Sequence, residues 1–455
     1  MSLYSYFRIS KPSGAKVAPE DVLPTYKRLR NRTFWGVTVA YSLFYVCRMT
    51  MSVVKQPLID GDIFSAGELG IIGSSMMLAY AAGKFCNGFI CDYCNIKRFM
   101  AWGLGVSVLI NLLMGLFGLI DFGTSAFGGI LMFGVFALMW GINGWAQSMG
   151  SPPGIISLSR WFSLRQRGTY YSIFSATPYL GKTISFILTG IVVGWIGWQF
   201  GFIFAAIAGI AGVAVIVCFV KDTPESEGLP PVQEISGECP AKEDRMQTKD
   251  LHKYVFRSPG IWIIAFSSAF VYITQYAVSD WGVLYLQKGK SFTLEQATQI
   301  IAFSEAFGIA GTLLAGWISD KLFGGNRIVP VIGSGMLCMA ALGMFLFTGG
   351  SYLLNIVYIA LFSLAIGIVF CIVAGLMALD IVPRKATGAA LGIVGISSYI
   401  AAAVQNVVSG FLIQHGSQSG EYDFTAVALF WLGACLLSFL LPVFSWKWMH
   451  RKIVS

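Results

Sequence analysis

A short motif occurs twice in the chain, and its two copies lie almost half a chain length apart. The first copy, GFICDYCNIKR, begins at Gly88, and the second, GWISDKLFGGNR, begins at Gly316. The two glycines, and the aspartates Asp92 and Asp320, are each separated by 228 positions in a chain of 455 residues. Each copy stands at the polar end of an apolar run. A repeat of this length predicts two homologous halves, from which many secondary transporters are built, with the substrate site between them.

The composition is that of a membrane protein. Hydrophobic residues make up 56% of the chain and charged residues only 12%, and the mean hydropathy is +0.70. About 20 consecutive apolar residues cross a bilayer as a helix. Twelve such runs, segments 1 to 12, are predicted at 33–54, 69–91, 99–120, 128–158, 170–197, 199–220, 261–286, 297–319, 328–348, 352–378, 386–413 and 424–446. The predicted fold is an all-α integral membrane protein with two pseudo-symmetric six-helix bundles.

These segments divide the chain into domains. The predicted ranges are an N-terminal arm at 1–32, bundles at 33–220 and 261–446, a linker at 221–260 and a tail at 447–455. The linker is rich in Pro, Ser, Glu and Lys, so it is expected to be a flexible tether. Within segment 4, the Pro152–Pro153 pair predicts a break or kink, because proline removes a helix hydrogen bond.

The basic residues predict the orientation of the chain in the membrane. With the N-terminus in the cytoplasm, the cytoplasmic loops and ends would hold 25 of the 31 Lys and Arg residues. The opposite loops would hold only Lys55, Lys288 and Lys290. We therefore expect both termini to be cytoplasmic. The net charge of +9 is then an orientation signal. The expected partners are small-molecule substrates and membrane lipid, and nucleic-acid binding is not expected.

Several polar side chains fall inside apolar segments at nearly the same depth. Arg48 in segment 1, Lys182 in segment 5 and Glu305 in segment 8 each lie about 21–22 Å from the cytoplasmic end of their helix, at 1.5 Å per residue. The repeat places Gln275 in segment 7 opposite Arg48, at an offset of 227 and at nearly the same depth. Lys84 in segment 2 is shallower, at about 12 Å. A charge inside the bilayer costs at least ~2.5–3.5 kcal/mol, so such residues predict a functional site.

Two interpretations of these charges are open. Glu305 could neutralise Lys182 or Arg48 permanently and leave no site. Alternatively, Arg48 and Lys182 bind an anion such as a phosphate monoester, which carries about −1.5 to −2 charges. Glu305 would then hold Lys182 only while the site is empty.

Further polar residues complete the predicted site and its surroundings. The tyrosines Tyr45 and Tyr276 and the amides Gln405 and Asn406 are candidates for contacts with the rest of the substrate. The predicted latches that join helices at the cytoplasmic face are Asp92 with Lys97 and Arg98, and Asp320 with Arg327. The sequence contains no nucleophile–base pair, phosphate-cradling loop or metal cluster. We therefore expect neither an enzyme nor a cofactor or metal site.

The chain resembles the major facilitator superfamily and, within it, the organophosphate:phosphate antiporter family, from about residue 30 to 445. FYVCRMTMS resembles the motif of the family's first helix, and AYAAGKFCNGFICD resembles its second helix. FVYITQYAVSDWGVLYL and SEAFGIAGTLLAGWISDKLFGGNR resemble helices 7 and 8, and ALDIVPRKATGAALG resembles the start of helix 11. The chain is most similar to bacterial hexose-phosphate transporters and their sensor-like relatives.

The resemblance implies a function and a location. It implies exchange of a sugar phosphate, such as glucose 6-phosphate, for inorganic phosphate by a monomer in the bacterial inner membrane. It also implies a phosphate-binding role for Arg48 and a functional role for Lys84. The family usually has a basic residue in place of Gln275 and glycine in place of Lys182. Our hypothesis is that Lys182 replaces the missing cation of helix 7.

Other functions remain compatible with the sequence. A transporter-like sensor would bind a hexose phosphate and move little of it. A transporter with a different cargo, either another organophosphate or a less charged solute, is also possible, as is proton coupling through Glu305.

Overall fold

The computed structural model describes residues 6–91, 93–120, 126–237, 256–324, 326–381, 387–417 and 422–444. Within these residues, twelve helices are long and apolar enough to cross a membrane, as predicted. In the described ranges, β structure is limited to one isolated bridge between Arg8 and Cys94. An all-helical fold is the expected one, because each helix satisfies its own backbone hydrogen bonds inside the bilayer.

The membrane helices are labelled α1 to α12. They are α1 Val22–Asp60, α2 Ala66–Cys91, α3 Ile96–Phe117, α4 Ala126–Gln147 and Ser151–Trp161, α5 Leu164–Ser175 and Thr177–Ile196, α6 Trp198–Phe219, α7 Pro259–Lys290, α8 Leu294–Trp317, α9 Ile328–Phe347, α10 Tyr352–Cys371, α11 Thr387–Gly416 and α12 Thr425–Phe444. Short π-helical stretches extend α8 through Ile318–Leu322 and α10 through Ile372–Met377.

Proline marks the breaks in α4 and α5. The predicted break in α4 is confirmed, because its second part begins at Ser151 with the Pro152–Pro153 pair in its first turn. The predicted segment 170–197 corresponds to one candidate span, Ile173–Ile196, in which α5 is interrupted at Ala176, two residues before Pro178. The nitrogen of Pro178 cannot donate a helix hydrogen bond, which accounts for this second interruption.

The first helix is longer at both ends than its apolar run. α1 begins at Val22, inside the predicted arm, and Tyr26 in its first turns donates a hydrogen bond of 2.7 Å to the Trp161 carbonyl. At the other end, Lys55 was assigned to a loop, and this assignment is wrong. Lys55 lies within α1 and is buried. The apolar run ends just before Lys55, whereas the helix continues to Asp60.

The first part of the linker is not a flexible tether. Asp222 accepts hydrogen bonds from the Arg160 side chain (2.6 Å) and from the backbone NH groups of Ile96 (3.0 Å) and Ser10 (2.8 Å). The linker side chains Leu229 and Val232 are buried. These contacts fix 221–237 against the N-terminal half, which corrects the prediction for this part. Residues 238–255 lie outside the described residues.

The two halves meet at one face of the molecule. We call the face where α1 begins and α12 ends the terminal face, and the opposite face the distal face. Near the distal face, Ser74 on α2 donates a hydrogen bond of 2.6 Å to the Ala403 carbonyl on α11. Gly70 and Gly410 let these helices approach closely, because a Cβ added at Gly70 would lie 2.5 Å from the backbone oxygen of Asn406. The distal face is therefore sealed.

Candidate functional site

A cavity of about 220 Å³ lies between the two halves. Its lining residues come from α1, α2, α4, α5, α7, α10 and α11, and they are Tyr41, Tyr45, Tyr80, Lys84, Ser151, Ile155, Tyr171, Phe174, Ser175, Pro178, Tyr179, Lys182, Tyr272, Gln275, Tyr276, Phe370 and Tyr399. Those nearest the terminal face, Lys84, Ile155 and Tyr171, are exposed. The cavity is therefore accessible from the terminal face and closed at the distal face.

Arg48 lies beside this cavity in a cage of tyrosines. Its Nη2 donates a hydrogen bond of 3.1 Å to the hydroxyl of Tyr276 on α7. Its guanidinium carbon lies 4.3 Å from the ring centroid of Tyr80 and 5.3 Å from that of Tyr45. The side chain is buried, and its Nε has no hydrogen-bond partner among the described residues. Aromatic rings attract a desolvated cation, but they leave unused part of the donor fork that recognises phosphate.

Lys182 forms an ion pair that joins the two halves. Its Nζ lies 3.2 Å from both carboxylate oxygens of Glu305 on α8, and 3.4 Å from the hydroxyl of Ser279 on α7. The Ser279 hydroxyl in turn donates a hydrogen bond of 2.7 Å to Glu305. Lys182 and Glu305 are both buried. Lys182 nevertheless lines the cavity, and its Nζ lies 5.7 Å from the ring centroid of Tyr276.

The structure brings together the side chains predicted to share one level. Tyr276 connects them, since its hydroxyl binds Arg48 and its ring faces Lys182. Tyr276 lies 228 positions after Arg48, which is the offset of the repeated motif, and it is the chain neighbour of Gln275, the residue that the sequence analysis placed opposite Arg48. Gln275 is half-buried and lines the cavity, as Tyr45 also does.

Lys84 is the cation most accessible from the terminal face. It lines the cavity and is exposed there, and its Nζ lies 5.0 Å from the ring centroid of Tyr399 on α11. The Tyr399 ring also packs against those of Tyr80 (4.7 Å between centroids) and Tyr272 (5.2 Å). The sequence analysis did not select Tyr80 or Tyr399, because nothing in their local pattern separates them from lipid-facing or core tyrosines.

The amides on α11 lie away from the cavity in this structure. Gln405 donates a hydrogen bond of 3.0 Å to Ser409, and Asn406 donates one of 2.8 Å to Asp280 on α7. Asp280 also accepts a hydrogen bond of 3.3 Å from Ser52 on α1. Asn406 and Asp280 therefore belong to the distal seal, whereas Gln405 is held within α11, and the predicted contact of both amides with substrate stays a prediction.

The predicted latches lie at the terminal face and are only partly described. Asp92 and the Asp320 side chain lie outside the described residues. Lys97 is half-buried, while Arg98 donates to the Tyr6 carbonyl (2.7 Å) and Arg327 to the Ser319 hydroxyl (2.7 Å). The latch through Asp222 and Arg160 was not predicted, because Asp222 lies in a polar stretch that resembled a linker.

Metal chemistry receives no support from the described residues. None of their His, Cys, Asp and Glu side chains form a group of three or more that could hold a metal ion. The chemistry that the site can perform is the binding of an anion by positive side chains beside a closed, tyrosine-rich wall.

Comparison with known proteins identifies the family. The family model of the Major Facilitator Superfamily matches residues 37–379. The chain belongs to the Major Facilitator Superfamily. Its fold agrees, since a bacterial homologue of the lysosomal transporter Spinster superposes with a TM-score of 0.70 at 15% identity, covering 93% of this chain and 95% of that one. A D-xylose–proton symporter superposes with a TM-score of 0.69 at 14% identity, covering 92% and 97%.

More similar relatives confirm the predicted family within this superfamily. A protein named glycerol-3-phosphate transporter from Bacillus subtilis is 34% identical over 93% of this chain and 93% of its own length. A probable hexose phosphate transport protein from Chlamydia trachomatis is 31% identical over 96% and 95%. The membrane sensor protein UhpC of Salmonella typhimurium is 27% identical over 92% and 93%. These relatives are transporters and a sensor, which agrees with the expectation that the chain is not an enzyme.

Proposed function

We propose that this protein exchanges a sugar phosphate, most specifically glucose 6-phosphate, for inorganic phosphate by alternating access. The observation that carries the proposal is the placement of three cations at one cavity between the halves: Lys84 and Lys182 line it, and Arg48 lies directly behind its lining tyrosines. All three belong to the N-terminal half. The names of the similar transporters, for glycerol 3-phosphate and hexose phosphate, support a phosphorylated cargo.

A phosphate dianion would compensate for the cost of keeping these cations in the membrane. Each buried charge costs at least ~2.5–3.5 kcal/mol at the centre of a bilayer. The tyrosine cage of Arg48 offsets only part of this cost, because it leaves Nε without a partner. A phosphoryl group with about −1.5 to −2 charges would complete the hydrogen bonds of the guanidinium fork.

Glu305 would act as a stand-in for the substrate. In the empty site it pairs with Lys182, so neither charge is left alone. An arriving phosphoryl group would compete for Lys182 and bridge it to Arg48 at Tyr276. The bundles 33–220 and 261–446, proposed as the rocking units, would then respond to the substrate because it contacts both halves.

The opposite wall of the cavity suits the sugar end of the cargo. The C-terminal half contributes Tyr272, Gln275, Phe370 and Tyr399, which offer hydroxyl and amide groups between aromatic faces. None of these side chains is charged. A neutral, hydroxyl-bearing ring therefore fits this wall better than a second anionic group.

The location follows from the basic residues, as the positive-inside rule predicts. We place the chain in the bacterial inner membrane with both termini in the cytoplasm, where it would act as a monomer. The terminal face is then the cytoplasmic face. The conformation described here is accordingly the inward-open one, from which cargo is released into the cell.

Counterflow tests the proposal. Purified protein in liposomes loaded with phosphate should take up external labelled phosphate and glucose 6-phosphate, and should take up glucose much less. Uptake should cease when the internal phosphate is omitted. A protein that binds glucose 6-phosphate but does not exchange it would be a sensor, the second candidate favoured by the likeness to UhpC.

The identity of the cargo is tested in the same vesicles. Glycerol 3-phosphate is a second candidate, favoured by the 34% identity to a glycerol-3-phosphate transporter. It would replace glucose 6-phosphate in the proposal if it competed for phosphate uptake at lower concentration. Equal uptake of neutral sugar would contradict both cargoes.

A further inference from the structure

A second buried cation on α1 lies outside the cavity. Lys55 is two helical turns beyond Arg48, only 2% exposed, and its ammonium nitrogen has no hydrogen-bond partner among the described residues. It rests on the face of Trp281 in α7, 3.3 Å from the ring centroid. Because α1 and α7 belong to different halves, this contact crosses the interface at the distal seal.

The nearby carboxylate is occupied by other partners. Asp280 accepts hydrogen bonds from Ser52 and Asn406, and no carboxylate of the described residues lies within ion-pair distance (4.0 Å) of Lys55. The indole ring is thus the closest compensation for the ammonium. An aromatic face stabilises a desolvated cation, but it does not replace the hydrogen bonds that water would give.

The other lysines at the distal face are held differently. Lys290 donates to the Asn355 side chain (2.6 Å) and to the Phe345 carbonyl, and all three residues belong to the C-terminal half. Lys288 pairs with Asp60 across the interface, but both side chains are partly exposed to solvent. Lys55 alone among these three is almost fully buried, and its aromatic partner moves away if the halves separate.

We propose that Lys55 and Trp281 form a poised gate at the distal face. When the halves are together, the ring holds the ammonium in place while its hydration is lost. When they part at this face, the ammonium regains water. The buried charge therefore favours opening, and Trp281 limits that tendency so that the closed and open states remain close in free energy. A contact that differs between two states sets their populations.

The proposal predicts that the effect of Trp281 depends on the charge at position 55. Ser74→Cys provides a reporter, because Ser74 is buried in the distal seal beside Ala403. Its rate of modification by a bulky, charged thiol reagent is measured in detergent, with the protein lacking the reporter as background for the native cysteines. Trp281→Leu should speed labelling roughly tenfold, since it leaves a buried cation without compensation. Trp281→Phe should have a smaller effect, because Phe is the weaker partner for a cation.

Removing the charge should have the opposite result. Lys55→Met should slow labelling below that of the parent, and Lys55→Met combined with Trp281→Leu should label no faster than the parent. Lys290→Met is the matched control, because it removes a lysine of the same face whose partners lie within one half, and it should leave the rate unchanged.

Three results would overturn the gate. Trp281→Leu could speed labelling equally with and without Lys55, which would show that only packing was lost. It could leave labelling unchanged, or Lys290→Met could slow labelling as much as Lys55→Met does. If Trp281→Leu does not give folded protein, the same comparison is made with Trp281→Phe. Labelling does not require a cargo, so failure here is distinct from failure of the proposed exchange.

Discussion

The two halves of the cavity have similar helices but different chemistry. Arg48 on α1 hydrogen-bonds its own repeat equivalent, Tyr276 on α7, which lies 228 positions later. At the same offset, Lys84 on α2 corresponds to Thr312 on α8. A residue can contact its own equivalent only near a two-fold axis, so the pseudo-symmetry axis passes between α1 and α7.

The contacts between halves extend this comparison to α5 and α11. Ser74 on α2 donates to the Ala403 carbonyl, and Thr183 on α5 donates to the Ala302 carbonyl (3.4 Å). Ala302 lies 228 positions after Ser74, as the repeat requires, whereas Ala403 lies 220 positions after Thr183. The two contacts are therefore symmetric counterparts, with a shorter offset in the later helices.

With this offset, the third cation of the cavity also has a neutral counterpart. Lys182 corresponds to Ala402, and Glu305, its partner, corresponds to Met77, which contacts Arg48 at 3.9 Å. Duplication thus accounts for the similar helix arrangement of the two halves. At every charged position of the site, the equivalent position in the other half carries an uncharged residue. A site with aromatic rings on both walls and cations on only one of them fits a molecule that is anionic at one end and neutral at the other.

The largest effect is expected from removing the charge of Arg48, which lies nearest the pseudo-symmetry axis. Arg48→Gln should lower kcat/KM for phosphate exchange roughly 100-fold, because hydrogen bonds to charged groups contribute about 1.5–3 kcal/mol each. Arg48→Lys should retain part of the activity, since it keeps the charge but loses the planar fork. Counterflow in liposomes measures both.

The control for this substitution is another arginine of the same half. Arg32 donates to the Cys218 carbonyl (2.6 Å) away from the cavity, and Arg32→Gln should leave exchange near normal. Normal exchange in Arg48→Gln would mean that the positive wall does not bind the anion.

Substitutions in the Lys182–Glu305 ion pair, which joins the two halves, should have the next largest effect. Lys182→Gln should raise KM for phosphate about tenfold, because one charged contact is lost. Glu305→Gln should lower KM and also slow turnover, since Lys182 would then keep the anion. The double variant should be less impaired than the sum of the single effects, because the two side chains are coupled. Additive effects on KM in this cycle would contradict the role of Glu305 as a stand-in.

A smaller effect is expected from removing the hydrogen bond between Arg48 and Tyr276, which joins the two walls of the cavity. Tyr276→Phe removes the hydroxyl that holds Arg48, and a net loss of about 0.5–1.5 kcal/mol predicts a roughly two- to tenfold rise in KM for phosphate. Tyr285→Phe serves as the control, because its hydroxyl binds the Leu346 carbonyl within the C-terminal half. Equal effects of the two substitutions would show that the hydroxyl of Tyr276 has no special role.

The backbone was more predictable from the sequence than the site was. Apolar length predicts a membrane helix without reference to its neighbours, so all twelve were found. Arg48, Lys182 and Glu305 were also found, because a charged residue within an apolar run can be recognised in the sequence whatever it contacts in the fold. Tyr80 and Tyr399 were missed, since a tyrosine acquires a role only from what the fold places beside it. Lys55 was assigned to a loop for the related reason that its compensating ring, Trp281, is 226 positions away.

The smallest effect should come from making the two walls more alike. Gln275→Arg adds a cation to the wall formed by the C-terminal half, at a half-buried position that lines the cavity. The phosphate concentration needed to compete for the site should then fall about threefold, because a charge that remains partly hydrated contributes less than about 1 kcal/mol. Gln275→Met, of similar length and without charge, controls for shape. If phosphate competed no better with Gln275→Arg than with Gln275→Met, the anion would be bound by the N-terminal wall alone, and position 275 would contact only the neutral end of the cargo.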